Sequence, residues 1–152
     1  MNELKRILLA EDDPRDIELT LTALSEHNLA NAVQVVRDGS EALDFLRRQG
    51  EFASRPPGHP VVVLLDIKMP KIDGIEVLRQ MKSDEGLRVV PVVILTSSRE
   101  DRDLVESYRL GVNAYVVKPV EFHDFVDAVS ELGVFWAVIN EPPPNGLTRR
   151  KV

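Results

Sequence analysis

At 152 residues, 43% of them hydrophobic, the chain is long enough to bury one core without disulfides or a structural metal. It has no cysteine, which excludes disulfide frameworks, thiolate catalysis and thiolate metal sites. A formal net charge of -6 argues against a broad nucleic-acid footprint, and the one basic cluster, Arg149, Arg150 and Lys151, reads as a solvated tail.

The apolar run that opens the chain, Ile7 to Ala10, is too short for a secretory signal, and no stretch approaches membrane-spanning length. A cytoplasmic protein is expected, with neither membrane nor nucleic acid as a partner. Lys5 to Ala10 predicts the first strand. Asp13 then suits a helix N-cap and Pro14 the first helical position, with Ile17, Leu21 and Leu24 on one apolar face. A second strand is predicted over Ala32 to Arg37 and a second helix over about Ser40 to Gln49. Gly50 to Pro60, with three prolines and two glycines, reads as a long connection into a third strand, Val61 to Asp66. A helix near Ile75 to Lys82, a strand at Pro91 to Thr96, a helix near Asp101 to Leu110 and a strand at Asn113 to Val117 follow. Phe122, Phe125, Val126, Val129 and Leu132 then repeat at helical spacing, and Gly133 either ends this last helix or dents it before Phe135 and Trp136.

Five strands alternating with helices predict an α/β fold. The central strands are apolar without alternation, as parallel strands covered on both faces are, so three layers are expected. Residues 1–140 form one domain in this reading. Residues 141–152, which begin with three prolines after Glu141, form a flexible tail.

The acidic residues fall where a parallel sheet builds its ligand crevice: Glu11, Asp12 and Asp13 directly after the first strand, and Asp66 at the end of the third. If those strands are neighbours, the carboxylates converge, and their repulsion calls for a bound cation or a shifted pKa. Oxygen donors without His or Cys suit Mg²⁺. Acids after a strand also cap helices or face solvent; that reading is preferred for Asp13, while Glu11 and Asp12 fit either role. Thr96 closes the fourth strand and Lys118 the fifth, at the same edge of the sheet. A hydroxyl and an ammonium beside a carboxylate and Mg²⁺ make a phosphoryl-transfer site.

Glu11-Asp12, Asp66 within Leu64-Leu65-Asp66-Ile67-Lys68-Met69-Pro70, Asp73-Gly74, Thr96-Ser97 and Lys118-Pro119 resemble the signature of the response regulator receiver domain (CheY-like), in order over roughly the first nine-tenths of the chain. The resemblance implies a (βα)5 flavodoxin-like fold with strand order 2-1-3-4-5. It implies that Asp66 accepts a phosphoryl group from a histidine kinase, and that Glu11, Asp12, Asp66 and the backbone carbonyl of Lys68 hold Mg²⁺. Lys118 would pair with the phosphoryl group, Thr96 would swing toward it, and Lys118-Pro119 would be a cis peptide. Tyr115 would be the switch aromatic that follows Thr96; spacing alone fits an ordinary edge-strand aromatic equally well. Lys68 and Ser97 would stand where water reaches the acylphosphate. The chain would be a phosphoacceptor, not a turnover enzyme, and would signal through its fourth helix, fifth strand and fifth helix.

An aspartyl-phosphate phosphohydrolase of the haloacid-dehalogenase kind would need a second acid where Lys68 stands. A dinucleotide binder would need a glycine-rich loop where Glu11-Asp12-Asp13 stands. An unphosphorylated scaffold would have no use for the full constellation. The segment from Glu131 to Trp136 and the long loop before the third strand resemble the small regulators of phytochrome histidine kinases, which implies a phytochrome partner and a homodimer. Phe135 and Trp136 then read as interface anchors or as core packing of the last helix. His27, His59 and His123 read as surface residues.

Overall fold

The computed structural model describes residues 4–112 and 114–140, so the expected tail 141–152 and Asn113, the expected start of the fifth strand, lie outside the described residues. The strands are β1 (Ile7–Ala10), β2 (Val33–Val36), β3 (Val62–Asp66), β4 (Val92–Thr96) and β5 (Ala114–Val117). The helices are α1 (Pro14–Ser25), α2 (Gly39–Arg47), α3 (Gly74–Ser83), α4 (Arg99–Ser107), α5 (Phe122–Glu131) and α6 (Phe135–Ile139). All strand pairs are parallel, in the order β2-β1-β3-β4-β5, with helices on both faces, so the expected flavodoxin-like topology is the one observed.

Strand alternation sorts the apolar side chains into two cores. Leu8, Val63, Leu65 and Ile94 pack under α2 and α3, and Ile7, Leu64, Leu95 and Val116 pack under α1, α5 and α6. Burial on both faces is why β3 and β4 carry no polar residue before their last position. Among the described residues, no helix is long and apolar enough to cross a membrane.

The helices that follow β1 to β4 start on side-chain caps: Asp13 accepts from the N–H of Arg15 and Asp16, Asp38 from Glu41, Asp73 from Glu76 and Ser98 from Asp101. The cap places α4 two residues before its expected start. Helices α2 and α3 each begin on a glycine, because a neighbouring backbone presses on that first turn. A Cβ on Gly39 would lie 1.9 Å from the carbonyl oxygen of Ile72, and one on Gly74 would lie 2.1 Å from that of Asp66. The Gly74 N–H donates to the Ile67 carbonyl at 2.7 Å, which holds α3 against the end of β3.

The proline-rich connection is anchored by Arg55, which is buried although no sequence pattern marks it. Its guanidinium donates to the carbonyls of Phe45 (2.6 Å) and Leu46 (3.3 Å) in the last turn of α2, and to those of Pro56 (2.6 Å) and Gly58 (3.0 Å) in the loop. A cation at the carboxyl end of a helix complements the helix dipole, and here it adds to the Arg48 N–H that the Phe45 carbonyl already accepts at 3.3 Å.

Gly133, at φ +75°, ends α5, and α6 follows at once. Arg6 Nε donates to the Val138 carbonyl at 2.9 Å, which ties α6 to the start of β1. Phe135 packs against the α1/α5 core and Trp136 stands edge-on to it with ring centroids 4.8 Å apart, and both side chains are half-buried.

Candidate active site

Parallel pairing brings four strand ends together. Ala10 of β1 is in register with Leu65, Asp66 with Leu95, and Thr96 with Val117, so the residues that leave β1 and β5 flank Asp66. Lys118 is fixed at the backbone, where its N–H donates to the Thr96 carbonyl at 2.7 Å. Its Nζ donates to Asp66 Oδ1 at 3.1 Å, Glu11 Oε1 at 3.2 Å and Asp16 Oδ2 at 3.2 Å. The Glu11 side chain is 1% exposed, that of Asp66 8% and that of Lys118 14%, so these are interior charges. The Lys118-Pro119 peptide is cis.

Asp13 is occupied as the cap of α1, and its N–H donates to Glu11 Oε2 at 3.2 Å. Glu11, Asp12 and Asp66 each offer an oxygen within 4.8 Å of the others. A compact all-oxygen set with two buried members fits a hard divalent cation such as Mg²⁺. Among the described residues the other such grouping is Glu121, His123 and Asp124, on the surface. There His123 meets Asp124 at 3.1 Å and Glu121 at 3.8 Å; it is exposed, as His27 and His59 are.

Crowding shifts the site's titrations. Burial, and then the adjacent Asp66 charge, push the Glu11 carboxyl up from 4.5 to about 7, against the opposing Asp13 N–H and Lys118. Asp66 is also raised, chiefly by burial, with Lys118 opposing. Burial alone would lower Lys118, but Asp66 above all, then Glu11 and Asp16, carry it above lysine's ordinary value.

Because Glu11's folded value is raised, the stability it contributes is complete below about 4.5 and is lost as pH rises through about 7. The metal-free protein should therefore melt lower at about pH 7.5 than at about pH 5.5. A divalent cation held by these groups would need them ionised, so the rise in melting temperature expected on adding Mg²⁺ should be larger at the higher pH. Scanning fluorimetry with and without Mg²⁺ at both pH values measures this; an equal rise at both would mean that Glu11 does not titrate in this range.

Lys68 and Ser97 meet at a third residue. Lys68 Nζ lies 3.6 Å from Asp101 Oδ1, and Ser97 Oγ donates to Asp101 Oδ2 at 2.8 Å. The Ser97 hydroxyl first, then its N–H and Lys68, hold the Asp101 carboxyl below its ordinary value. The first turn of α4 is thus tied to the loops that follow β3 and β4.

Residues 7–130 match the model of the response regulator receiver domain. The chain belongs to that family. The receiver domain is 61% identical to a structure of the bacteriophytochrome response regulator RtBRR, with a TM-score of 0.83 over 95% of this chain and 87% of that one. It is 62% identical to the bacteriophytochrome response regulator AtBRR, with a TM-score of 0.84 over 91% and 99%. Response regulator Rcp1 of Synechocystis sp. is 38% identical over 90% of its length and 89% of this chain. A Mn²⁺-bound form of Rcp1 aligns with a TM-score of 0.66 over 86% of this chain and 92% of that one.

In the receiver domain, alternation along β4 and β5 sets Thr96 and Tyr115 on the same face of the sheet, on neighbouring strands. Thr96 is buried. Tyr115 packs into the α2/α3 core with the Arg102 guanidinium 4.5 Å above its ring. Its hydroxyl is buried and has no hydrogen-bond partner among the described residues. Tyr115→Phe should therefore leave stability within about 0.5 kcal/mol of wild type or raise it slightly, since no bond is lost. A drop of about 1 kcal/mol or more in urea unfolding would reveal a partner for the hydroxyl.

Two residues at this edge escape sequence reasoning, Asp16 and Asp101. Each is an acid in the first turn of a helix, where acids are common because they complement the helix dipole. The available signal is position: both helices start at the edge that carries the site.

Proposed function

We propose that this receiver domain takes a phosphoryl group onto Asp66 from a histidine kinase. The observation that carries the reading is the Lys118 ammonium held 3.1 Å from Asp66 Oδ1, beside a carboxylate trio that fits Mg²⁺. In the reaction an Asp66 carboxylate oxygen attacks phosphorus as the bond from phosphorus to the donor's leaving atom breaks, and Lys118 pairs with a phosphoryl oxygen. Glu11, Asp12, Asp66 and the Lys68 carbonyl would hold the cation. When bound, Mg²⁺ neutralises charge on the phosphoryl oxygens. A lysine at position 68, where a phosphohydrolase would need a second acid, supports a phosphoacceptor over a turnover enzyme.

The signal leaves through α4, β5 and α5. Thr96 and Tyr115 share a sheet face, and Arg102 links the Tyr115 ring to α4, which supports Thr96 and Tyr115 as the switch pair. The names of RtBRR and AtBRR, at 61% and 62% identity, support a phytochrome as the partner kinase. The protein then works in the cytoplasm, residues 1–140 as one domain, paired with a second copy through the α6 region. Trp136 is the better anchor there because Phe135 is engaged with the core.

Intact-mass analysis after incubation with acetyl phosphate tests the acceptor. One phosphoryl group should be gained with Mg²⁺, lost on hydroxylamine treatment, and absent in Asp66→Asn. No gain in folded protein, under conditions that label another receiver domain, would overturn the reading.

A further inference from the structure

We propose that Asp16 is a positioning residue that competes with the phosphoryl group for Lys118 and so sets how readily Asp66 is phosphorylated; this rests on the phosphoacceptor reading above. An ammonium has three N–H bonds to donate. Here Lys118 meets three carboxylates, Asp66 at 3.1 Å and Glu11 and Asp16 at 3.2 Å each, which uses all three. A phosphoryl oxygen arriving on Asp66 needs one of those bonds, so one carboxylate has to release it.

The three are not equivalent. Glu11 and Asp66 belong to the trio that fits a divalent cation, and each has that cation as a second partner when it is bound. Asp16 stands on α1 outside the trio, and Lys118 is the cation its carboxylate meets. Its pull on the ammonium, toward α1 and away from the phosphoacceptor, therefore persists whether or not the metal is present. The Asp16 side chain is 27% exposed, so solvent screens the pair in part. Its removal should change an equilibrium by about 3- to 10-fold, from the upper part of the range of a fully exposed pair to somewhat beyond it.

Asp16 has two plainer uses: it complements the α1 dipole, and it adds to the negative field that repels an anionic donor. Glu18, exposed on the same helix, supplies a similar remote charge and serves as the control. The protein is labelled with acetyl phosphate in Mg²⁺, and intact mass gives the half-saturating concentration and the maximal rate. Beryllofluoride, a non-transferable mimic of a carboxylate-bound phosphoryl group, gives an affinity by ¹⁹F NMR. In metal-free protein, exchange of the Lys118 ammonium protons with water reports the contact directly.

Asp16→Asn should lower the half-saturating concentration and tighten beryllofluoride by about 3- to 10-fold each, keep the maximal rate within about twofold, and speed ammonium exchange. Glu18→Gln should change none of these. Unchanged or weaker binding in Asp16→Asn, unchanged exchange, or an equal shift in Glu18→Gln would overturn the proposal. A wild-type protein that binds beryllofluoride but takes no phosphoryl group would instead sink the phosphoacceptor reading, and this proposal with it.

Discussion

Lys118→Met should destabilise the metal-free protein by about 3 kcal/mol or more near neutral pH and remove most labelling of Asp66. Methionine keeps a long stem and deletes the charge, so the loss is electrostatic and not a packing defect. Three carboxylates then face one another without the ammonium that meets each of them within 3.2 Å, and two of them are buried. Removing one partner of an interior ion pair leaves an uncompensated charge, which costs about 3–5 kcal/mol. The deficit should shrink toward acid pH, because protonated carboxyls need no counter-ion. Lys118 itself adds no pH dependence there: its folded value lies above the ordinary lysine value, so its contribution is fully present below that value and fades only in strong alkali. Mg²⁺ should raise the melting temperature more in the mutant than in wild type, since the acidic trio has lost its competing cation. Urea unfolding near pH 5.5 and pH 7.5, roughly, with intact-mass labelling, measures all of this. Wild-type stability in the mutant at the higher pH would mean that Lys118 does not neutralise the site.

Gly74→Ala should destabilise by about 3 kcal/mol and slow labelling of the folded fraction by about 10- to 100-fold. The added methyl would lie 2.1 Å from the Asp66 carbonyl oxygen, 2.8 Å from the Ile67 Cα and 2.9 Å from the Asp66 carbonyl carbon. All three are backbone atoms, so no rotamer change relieves the contact. Helix α3 must retreat and stretch the Gly74 N–H bond to Ile67, or the end of β3 must move and take Asp66 with it. Gly86→Ala is the control: its methyl would meet Asp84 Oδ1 at 3.5 Å, an ordinary contact, and stability should stay within about 0.5 kcal/mol. Equal effects at the two positions would mean that the close approach at Gly74 is not what the fold depends on.

The strands were legible because burial on both faces leaves an unbroken apolar run, and the carboxylates and Lys118 were legible because parallel strands deliver their ends to one edge. The glycine starts of α2 and α3 were missed because those helices were read from their first side chains that bear on the pattern, while the pressure that demands glycine comes from Ile72 and Asp66 in other segments. Arg55 hides for a similar reason: its partners are carbonyls, and every residue has one. Asp16 was invisible because an acid in the first turn of a helix already has an ordinary explanation. Whether Phe135 or Trp136 turns to the core depends on where Gly133 breaks the helix, and spacing left that open.

Lys118 lies 107 residues after Glu11 and 52 after Asp66, so on the ribosome the acids of the sheet edge are made well before the lysine that meets them. A nascent chain that stops short of β5 carries its first and third strand ends with like charges opposed. Closure of that edge waits for the last strand, and the arrival of β5 is both the final addition to the sheet and the step that discharges its carboxyl rim.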